Sequence, residues 1–137
     1  TGRDNKPHPA RFHEENIEKQ SEYEFWNGSG WAKDNETAAV PLFDDIAGEL
    51  SVAYHPKFNK WILLYFNGTR YEISFRAADH ITGPWSEPAK LVDGWQYAQL
   101  YGSFIHPLSL EGDTLYFIMS MWLPYNSYLM SVELLSK

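Results

Sequence analysis

Hydrophobic and polar positions along the chain form the same three-strand pattern twice. The first copy, residues 51–79, contains SVAYHP, KWILLYF and EISFRAAD, and the second, residues 103–133, contains SFIHPL, TLYFIMS and YLMSVE. The copies start 52 residues apart. Repeats of that length, built from short antiparallel strands, are typical of propeller blades and related arrays. The pattern therefore predicts an all-β fold of propeller blades, each a four-stranded antiparallel sheet.

The alternation of apolar and polar residues places the individual strands. In the first copy it predicts strands over 51–55, 60–66, 72–78 and 89–92. The preceding sequence is more polar and predicts shorter extended stretches over 22–27 and 31–43, after a loop with a short helix near 12–20.

These elements suggest one partial propeller unit in four segments. They are a loop or short helix (1–21), the outer strands of one blade (22–45), a complete blade (46–93) and a last blade of three strands (94–137). Because an isolated blade leaves sheet faces and edges open, we expect the remaining blades to come from the same precursor or from another chain.

Composition narrows the possible partners. The chain has 137 residues, a net charge of −7, 6 Trp, 9 Tyr and 8 Phe. An acidic chain argues against nucleic acid and anionic membranes as partners, since both attract clustered Lys and Arg. No apolar run approaches the roughly 20 residues that span a bilayer. The aromatic content is sufficient for a core and leaves rings for a binding face.

The motifs that would indicate a cofactor or metal are missing from the sequence. There is no Cys, the five His are scattered, and no phosphate loop, dinucleotide fingerprint or nucleophile elbow occurs. We therefore expect neither a cofactor nor a metal site. Three glycosylation sequons, at Asn27, Asn35 and Asn67, favour a secreted or periplasmic protein, although two of them are Asn-Gly pairs that also suit hairpin turns.

Four motifs in fixed order resemble a known family. They are Ala47–Val52 (AGELSV), Thr82–Pro88 (TGPWSEP), Tyr101–Pro107 (YGSFIHP) and Trp122–Asn126 (WLPYN). Together they resemble the closing blades of a five-bladed propeller family, formerly a domain of unknown function, that includes endo-acting glycoside hydrolases of D-arabinan. The resemblance covers roughly residues 22–135. It implies that this chain is the C-terminal portion of a five-bladed propeller, with the N-terminal blades outside this sequence. It also implies a carbohydrate site at one end of the propeller axis.

The antiparallel topology brings particular loops to one end of each blade. The start of the first strand and the loop between the second and third strands lie together, whereas the opposite end collects plain turns. Aromatic rings stack on sugar rings, and amides and charged groups bond their hydroxyls. The candidate substrate-binding residues at this end are Arg70, Trp95, Tyr101, Trp122, Tyr125 and Asn126.

Glu49 is the candidate catalytic residue. Glycoside hydrolysis needs two carboxyl groups, and Glu49 immediately precedes an innermost strand, where its side chain can face the axis. The alternative is a structural Glu that joins neighbouring blades through backbone N–H groups. Asp44 and Asp45 precede the same strand and suit a loop or turn, while Arg70 and Glu72 suit a surface ion pair.

Three functions remain open from the sequence. The first is a glycoside hydrolase acting on an arabinan-like polysaccharide or oligosaccharide, with this chain supplying part of the site. The second is a non-catalytic, lectin-like carbohydrate-binding propeller. The third is a structural or protein-interaction module.

Overall fold

The computed structural model describes residues 4–135, so residues 1–3 and 136–137 of the first and last predicted segments lie outside it. It confirms the all-β class with antiparallel pairing, in three sheets of three, four and three strands. The chain divides into a small unit, Lys6–Asp44, and a large unit that contains Asp4, Asn5 and the chain from Asp45 onward.

The small unit is a three-stranded sheet with 3₁₀ turns. Its strands β1 (Ala10–Arg11), β2 (Glu24–Trp26) and β3 (Trp31–Lys33) lie in the order β1-β2-β3. Where the sequence predicted a loop with a short helix, two 3₁₀ turns occur, Glu14–Asn16 and Gln20–Glu22. The second extended stretch ends early, because a third 3₁₀ turn forms over Glu36–Ala38.

The first sheet of the large unit, sheet one, is the four-stranded sheet that the first repeat predicts. It runs β4 (Ala47–His55), β5 (Lys60–Asn67), β6 (Glu72–Ala78) and β7 (Ala89–Asp93), in sequence order and antiparallel throughout. Only β4 differs notably from the prediction. It starts four residues earlier, since a register shift between Ala47 and Leu50 lets the pairing with β5 continue.

Sheet two contains the second repeat. Its strands are β8 (Leu100–Ile105), β9 (Thr114–Met121) and β10 (Asn126–Glu133), in the order β8-β9-β10. A 3₁₀ turn, Pro107–Ser109, lies in the β8–β9 connection. The β8–β9 register also shifts, between Tyr101 and Ser103, which leaves Gly102 in a bulge at φ +65°.

One hydrophobic core lies between the two sheets. Alternate residues of each strand share a face, so one face of sheet one and one face of sheet two supply its buried side chains. The core consists of Ile62, Leu64, Ile73, Val92, Leu100, Ile105, Leu115, Phe117 and Met119. Strand β8 lies against β4 and β5 across this core. Burial of each large apolar side chain in this cluster contributes roughly 1.5–3 kcal/mol, which stabilises the packing of the two sheets.

Within residues 4–135, no helix has the length and apolar character required to cross a membrane.

Candidate functional site

A cleft opens at one end of the large unit, where the loops preceding β6, β8 and β10 come together. Its volume is about 300 Å³. Four aromatic residues line it: Phe66, Tyr71, Tyr101 and Trp122. The rest of the lining is two polar residues, Asp4 and Gln99, with Gly68 and Leu100. This is the end of the sheets at which the topology predicted the site. Tyr101 and Trp122 are two of the candidate binding residues.

Two runs of aromatic rings start in the cleft and end in solvent. On the sheet-one side, Tyr71 packs edge-on against Phe66 at 5.9 Å and Trp95 at 5.3 Å, measured between ring centroids. On the sheet-two side, Trp122 packs edge-on against Tyr101 at 5.8 Å and Tyr125 at 6.0 Å.

The outer rings of both runs are exposed. Trp95 is 83% exposed, Tyr125 78% and Trp122 59%. Packing therefore orients these rings but does not cover them. Large exposed rings held in fixed directions are suited to binding the flat apolar faces of a ligand.

Glu49 lies where β4 meets β8, beside the cleft. Its Oε2 accepts a hydrogen bond from the Gly102 N–H at 3.3 Å, in the β8 bulge next to Tyr101. A second bond of the same type follows along the strands, from the Ile105 N–H to Ser51 Oγ at 3.1 Å. The structure thus brings Glu49 and Tyr101 to the same end of the molecule. It also supplies the contact on which the structural alternative for Glu49 depends, so the catalytic role stays a prediction.

Backbone strain is concentrated around the cleft. Within residues 4–135, five non-glycine residues have a positive φ. Asp34 and Asn59 belong to types that tolerate this region, whereas Tyr71 (φ +54°), Gln99 (φ +60°) and Tyr125 (φ +56°) do not. The three unfavourable cases all lie in loops at the cleft end. Strained residues of this kind often mark functional positions.

A buried polar network lies on the face of sheet one opposite the core. Asp45 Oδ2 accepts hydrogen bonds from Arg76 Nη2 at 2.6 Å and from the Tyr65 hydroxyl. Arg76 Nε in turn donates to the Tyr65 oxygen at 2.9 Å. Both members of the ion pair are well covered, with side-chain exposures of 7% for Arg76 and 13% for Asp45. Asp45, expected as a turn residue, is therefore one half of a buried ion pair.

The network continues to the loop that carries Arg70 and Tyr71. The fully buried Asn67 donates from Nδ2 to Tyr65 at 3.4 Å and to Ser74 Oγ at 3.2 Å. Its Oδ1 accepts from the N–H groups of Thr69 and Arg70, both at 3.1 Å. The Asn67 sequon is thus occupied by a structural amide that fixes the β5–β6 loop.

Burial and pairing shift the ionisation of these groups. Burial raises the pKa of the Tyr65 hydroxyl to about 12, and its bond to Asp45 acts in the same direction. Burial also acts to raise the pKa of Asp45, but the bonds from Tyr65 and Arg76 outweigh it and leave that pKa below the ordinary value. The network therefore holds a neutral phenol, a carboxylate and a guanidinium.

Three other residues considered from the sequence, Arg70, Glu72 and Asn126, are not part of the cleft lining. Arg70 is exposed, and Glu72 is buried, where it accepts a hydrogen bond from Ser74 Oγ at 2.7 Å. Asn126 is exposed at the start of β10. Their proposed contacts with a ligand stay predictions.

Sequence reasoning missed Asp4 as a cleft residue and Arg76 as a partner of Asp45. The Arg76 position on a strand between apolar residues was an available signal, because a charge there is buried only when it is paired. Within residues 4–135, no group of three His, Asp or Glu side chains is placed to hold a metal ion.

The chain is similar to two fungal proteins. It is 37% identical over 105 residues to "Notoamide biosynthesis cluster protein J" of Aspergillus sp. (strain MF297-2) and 36% identical over 101 residues to "Notoamide biosynthesis cluster protein J'" of Aspergillus versicolor. Each match covers 71% of this chain, but only 26% and 27% of the relatives. The chain thus spans about a quarter of the length of these curated relatives.

A family model gives the broader assignment. The model described as "Domain of unknown function (DUF4185)" matches residues 1–131, nearly the whole chain. Together with the all-β architecture and the shared sequence in the fungal relatives, this match establishes that the chain belongs to the DUF4185 family.

Proposed function

We propose that the two sheets of the large unit are neighbouring blades of a five-bladed propeller. The repeat supports this arrangement. Aligning His55 with His106 makes Ala53 equivalent to Phe104, and Tyr54 equivalent to Ile105. Ala53 packs against the core and Ile105 is 3% exposed, whereas Tyr54 is 41% and Phe104 55% exposed.

The repeats therefore present opposite faces to their common core. If the two sheets were related by a two-fold axis, the same face of each repeat would be buried. Contact between opposite faces is instead a head-to-tail arrangement, which generates a ring or an open array when it is repeated. The second face of sheet two is apolar and exposed, with Phe104 at 55%, Tyr116 at 42% and Leu129 at 66%. This face suits another blade, from the same precursor or a further chain.

We propose that the cleft binds a polysaccharide or oligosaccharide, and that the complete protein is an exported carbohydrate-active protein. The observation that supports it best is the pair of aromatic runs opening from one cleft. Rings such as Trp122 and Tyr71 can stack on sugar faces, and Asp4, Gln99 and Arg70 can bond hydroxyls. Arabinan is the first substrate to test, because of the four-motif resemblance.

Hydrolysis is the further step of this proposal. It needs two carboxyl groups on the two sides of the scissile bond. Glu49, beside Tyr101, is one candidate, and Asp4, which lines the cleft, is a candidate for the second. If Glu49 serves only to join β4 to β8, the protein would bind the saccharide without hydrolysing it.

The test is an assay of the full-length protein on arabino-oligosaccharides, in which the release of reducing ends measures turnover. We expect Glu49→Gln to lower turnover at least about a hundredfold, as for a lost general acid, while the melting temperature stays close to that of the wild type. The control is Glu87→Gln, an exposed carboxyl at the opposite end of sheet one. Unchanged turnover in Glu49→Gln would remove Glu49 from the mechanism.

Two further outcomes separate the alternatives. Calorimetric binding of the oligosaccharide without product formation would support the lectin-like function. A wild-type protein that binds no saccharide would leave a structural or protein-interaction role, in which the exposed rings contact a protein surface.

A second candidate function comes from the names of the fungal relatives, which place those proteins in a biosynthesis cluster. On that basis, the cleft would hold notoamide or a related small molecule in place of a glycan. Calorimetry with notoamide and with an arabino-oligosaccharide, on the same preparation, decides between the two ligands.

A further inference from the structure

Tyr71 has two features that its place in a hairpin does not require. It is the last residue of the β5–β6 loop, with φ +54°, a region that favours Gly or Asn. It also lines the cleft and packs between Phe66 and Trp95. A bulky residue held in a left-handed conformation points to a role that a smaller residue could not fill.

Tyr71 fastens both ends of a second loop, residues 94–99. At one end its backbone oxygen accepts a hydrogen bond from the Gly94 N–H at 2.9 Å. At the other end its phenol oxygen accepts a hydrogen bond from the Gln99 N–H at 2.9 Å. A single residue therefore fixes where this loop begins, through its backbone, and where it returns to the cleft, through its side chain.

The approach at Gly94 leaves no space for a side chain. A Cβ at this position would lie 2.4 Å from the Tyr71 oxygen and 2.7 Å from its ring. The loop and Tyr71 are thus fitted to each other, and glycine is the residue that permits the contact.

The loop displays one large ring. Trp95 packs edge-on against Tyr71, its backbone N–H donates to Asp93 Oδ1 at 2.9 Å, and 83% of its surface is exposed. The contacts orient the indole and leave most of its surface to solvent. A ring that is held firmly and left uncovered is prepared for a ligand, since its conformational freedom has been removed before binding.

We propose that Tyr71 is a positioning residue that holds the 94–99 loop so that Trp95 forms an outer aromatic subsite adjoining the cleft. This inference rests on the proposed saccharide function, and it adds a residue and a subsite to it. Because Trp95 stands outside the cleft lining, the subsite is reached only by a ligand longer than the cleft.

The experiment is a double-mutant cycle in the full-length protein, read by calorimetry with an arabinobiose and an arabinohexaose. We expect Trp95→Ala to weaken hexaose binding about tenfold, with biose binding unchanged. Tyr71→Phe, which keeps the ring and removes the acceptor for the Gln99 N–H, should weaken hexaose binding by a smaller factor than Trp95→Ala does, and by more than it weakens biose binding. The double variant should be no weaker than Trp95→Ala, since both changes act through the same ring.

The control variant is Tyr54→Phe, which removes the hydroxyl of an exposed tyrosine that bonds Asn59 at the opposite end of sheet one. It should leave the binding of both oligosaccharides unchanged. The exposure of Trp95 is measured as the difference in acrylamide quenching between the wild type and Trp95→Phe. The same difference, measured in the Tyr71→Phe background, should have another value because the 94–99 loop is no longer held in place.

The outcomes separate this inference from the function on which it rests. Additive losses in the cycle, equal losses for both oligosaccharides in Tyr71→Phe, or wild-type hexaose binding by Trp95→Ala would overturn the positioning role while saccharide binding stands. A wild-type protein that binds neither oligosaccharide overturns the saccharide function and the subsite together.

Discussion

The two ends of the large unit expose different kinds of side chain to solvent. At the cleft end, the loops expose Trp95, Trp122 and Tyr125 and hold tyrosines in a left-handed backbone. At the opposite end, charged side chains close the turns, with Lys57 paired to Asp113 at 2.6 Å and Lys60 to Asp79 at 2.5 Å.

The difference supports the proposed binding role of the cleft end. Exposed ion pairs and turn-forming Asn residues keep an end soluble at little cost. Exposed rings and strained backbone lower stability, so their concentration at one end favours a binding role there. We therefore expect changes to the exposed rings of the cleft end to alter binding more than stability, and changes at the opposite end to do the reverse.

The largest effect should come from the buried network that anchors the cleft loop. Asp45→Asn leaves the Arg76 guanidinium without its carboxylate at 7% side-chain exposure. Removing one partner of a buried pair typically costs about 3–5 kcal/mol of unfolding free energy. Urea denaturation measures the loss, with Asp44→Asn, an exposed carboxyl, as the matched control. A loss below about 1 kcal/mol would mean that the ion pair contributes little, as exposed pairs do.

The pH dependence of stability tests the same ion pair. The folded-state pKa of Asp45 lies below its unfolded value of 3.8. Its stabilising contribution is therefore present above the unfolded pKa and is lost as pH falls through the folded one, because the unfolded chain binds the proton first. We expect the acid-induced loss of stability to be shallower in Asp45→Asn than in the wild type. Parallel profiles for the two proteins would contradict this assignment.

At the cleft end, Trp122→Ala should separate binding from stability. The ring is 59% exposed and contacts Tyr101 and Tyr125 edge-on, so we expect less than about 1 kcal/mol change in unfolding free energy. We expect about tenfold weaker oligosaccharide binding by calorimetry. Leu123→Ala, at a neighbouring position with 78% exposure, is the control and should bind normally. Equal binding losses in both variants would mean that the loop as a whole, and not the ring, is responsible.

The two ends can also be compared through one substitution, to glycine at a left-handed position. Tyr125→Gly relieves a φ of +56° on a side chain that is 78% exposed, so the unfolding free energy should stay constant or rise by up to about 1 kcal/mol while binding weakens. Asn59→Gly, at φ +51° on the opposite end, also removes the acceptor for the exposed Tyr54 hydroxyl, so it should lower stability by up to about 1 kcal/mol and leave binding intact. A strongly destabilised Tyr125→Gly would show that this tyrosine serves the fold.

The smallest effect belongs to the opposite end. Lys57→Gln removes an ion pair whose side chains are 47% and 53% exposed, and it should cost about 0–1 kcal/mol in thermal or urea unfolding. Saccharide binding should be unaffected. A clear loss of binding would break the comparison, since it would couple the two ends.

Much of the local structure could be predicted from the sequence. The run over 72–78 became β6 and the run over 60–66 became β5 with one further residue, because alternation and turn signals act over a few residues. The collection of Tyr101, Trp122 and Gln99 at one end was equally accessible, since antiparallel topology fixes which loops meet. The buried environment of Asp45 was not predicted, because its partner Arg76 lies 31 residues away along the chain.

The sequence alone therefore determined the all-β repeats, the turn positions and the end of the sheets at which aromatic residues collect, since each follows from neighbours along the chain. Only the tertiary structure decided that Asp45 pairs with Arg76, that Glu49 meets the Gly102 N–H, and that Tyr71 holds Gln99. Those contacts join residues 28 to 53 positions apart. They depend on strand register, on a bulge and on the packing of one sheet against another, none of which is encoded in a local pattern.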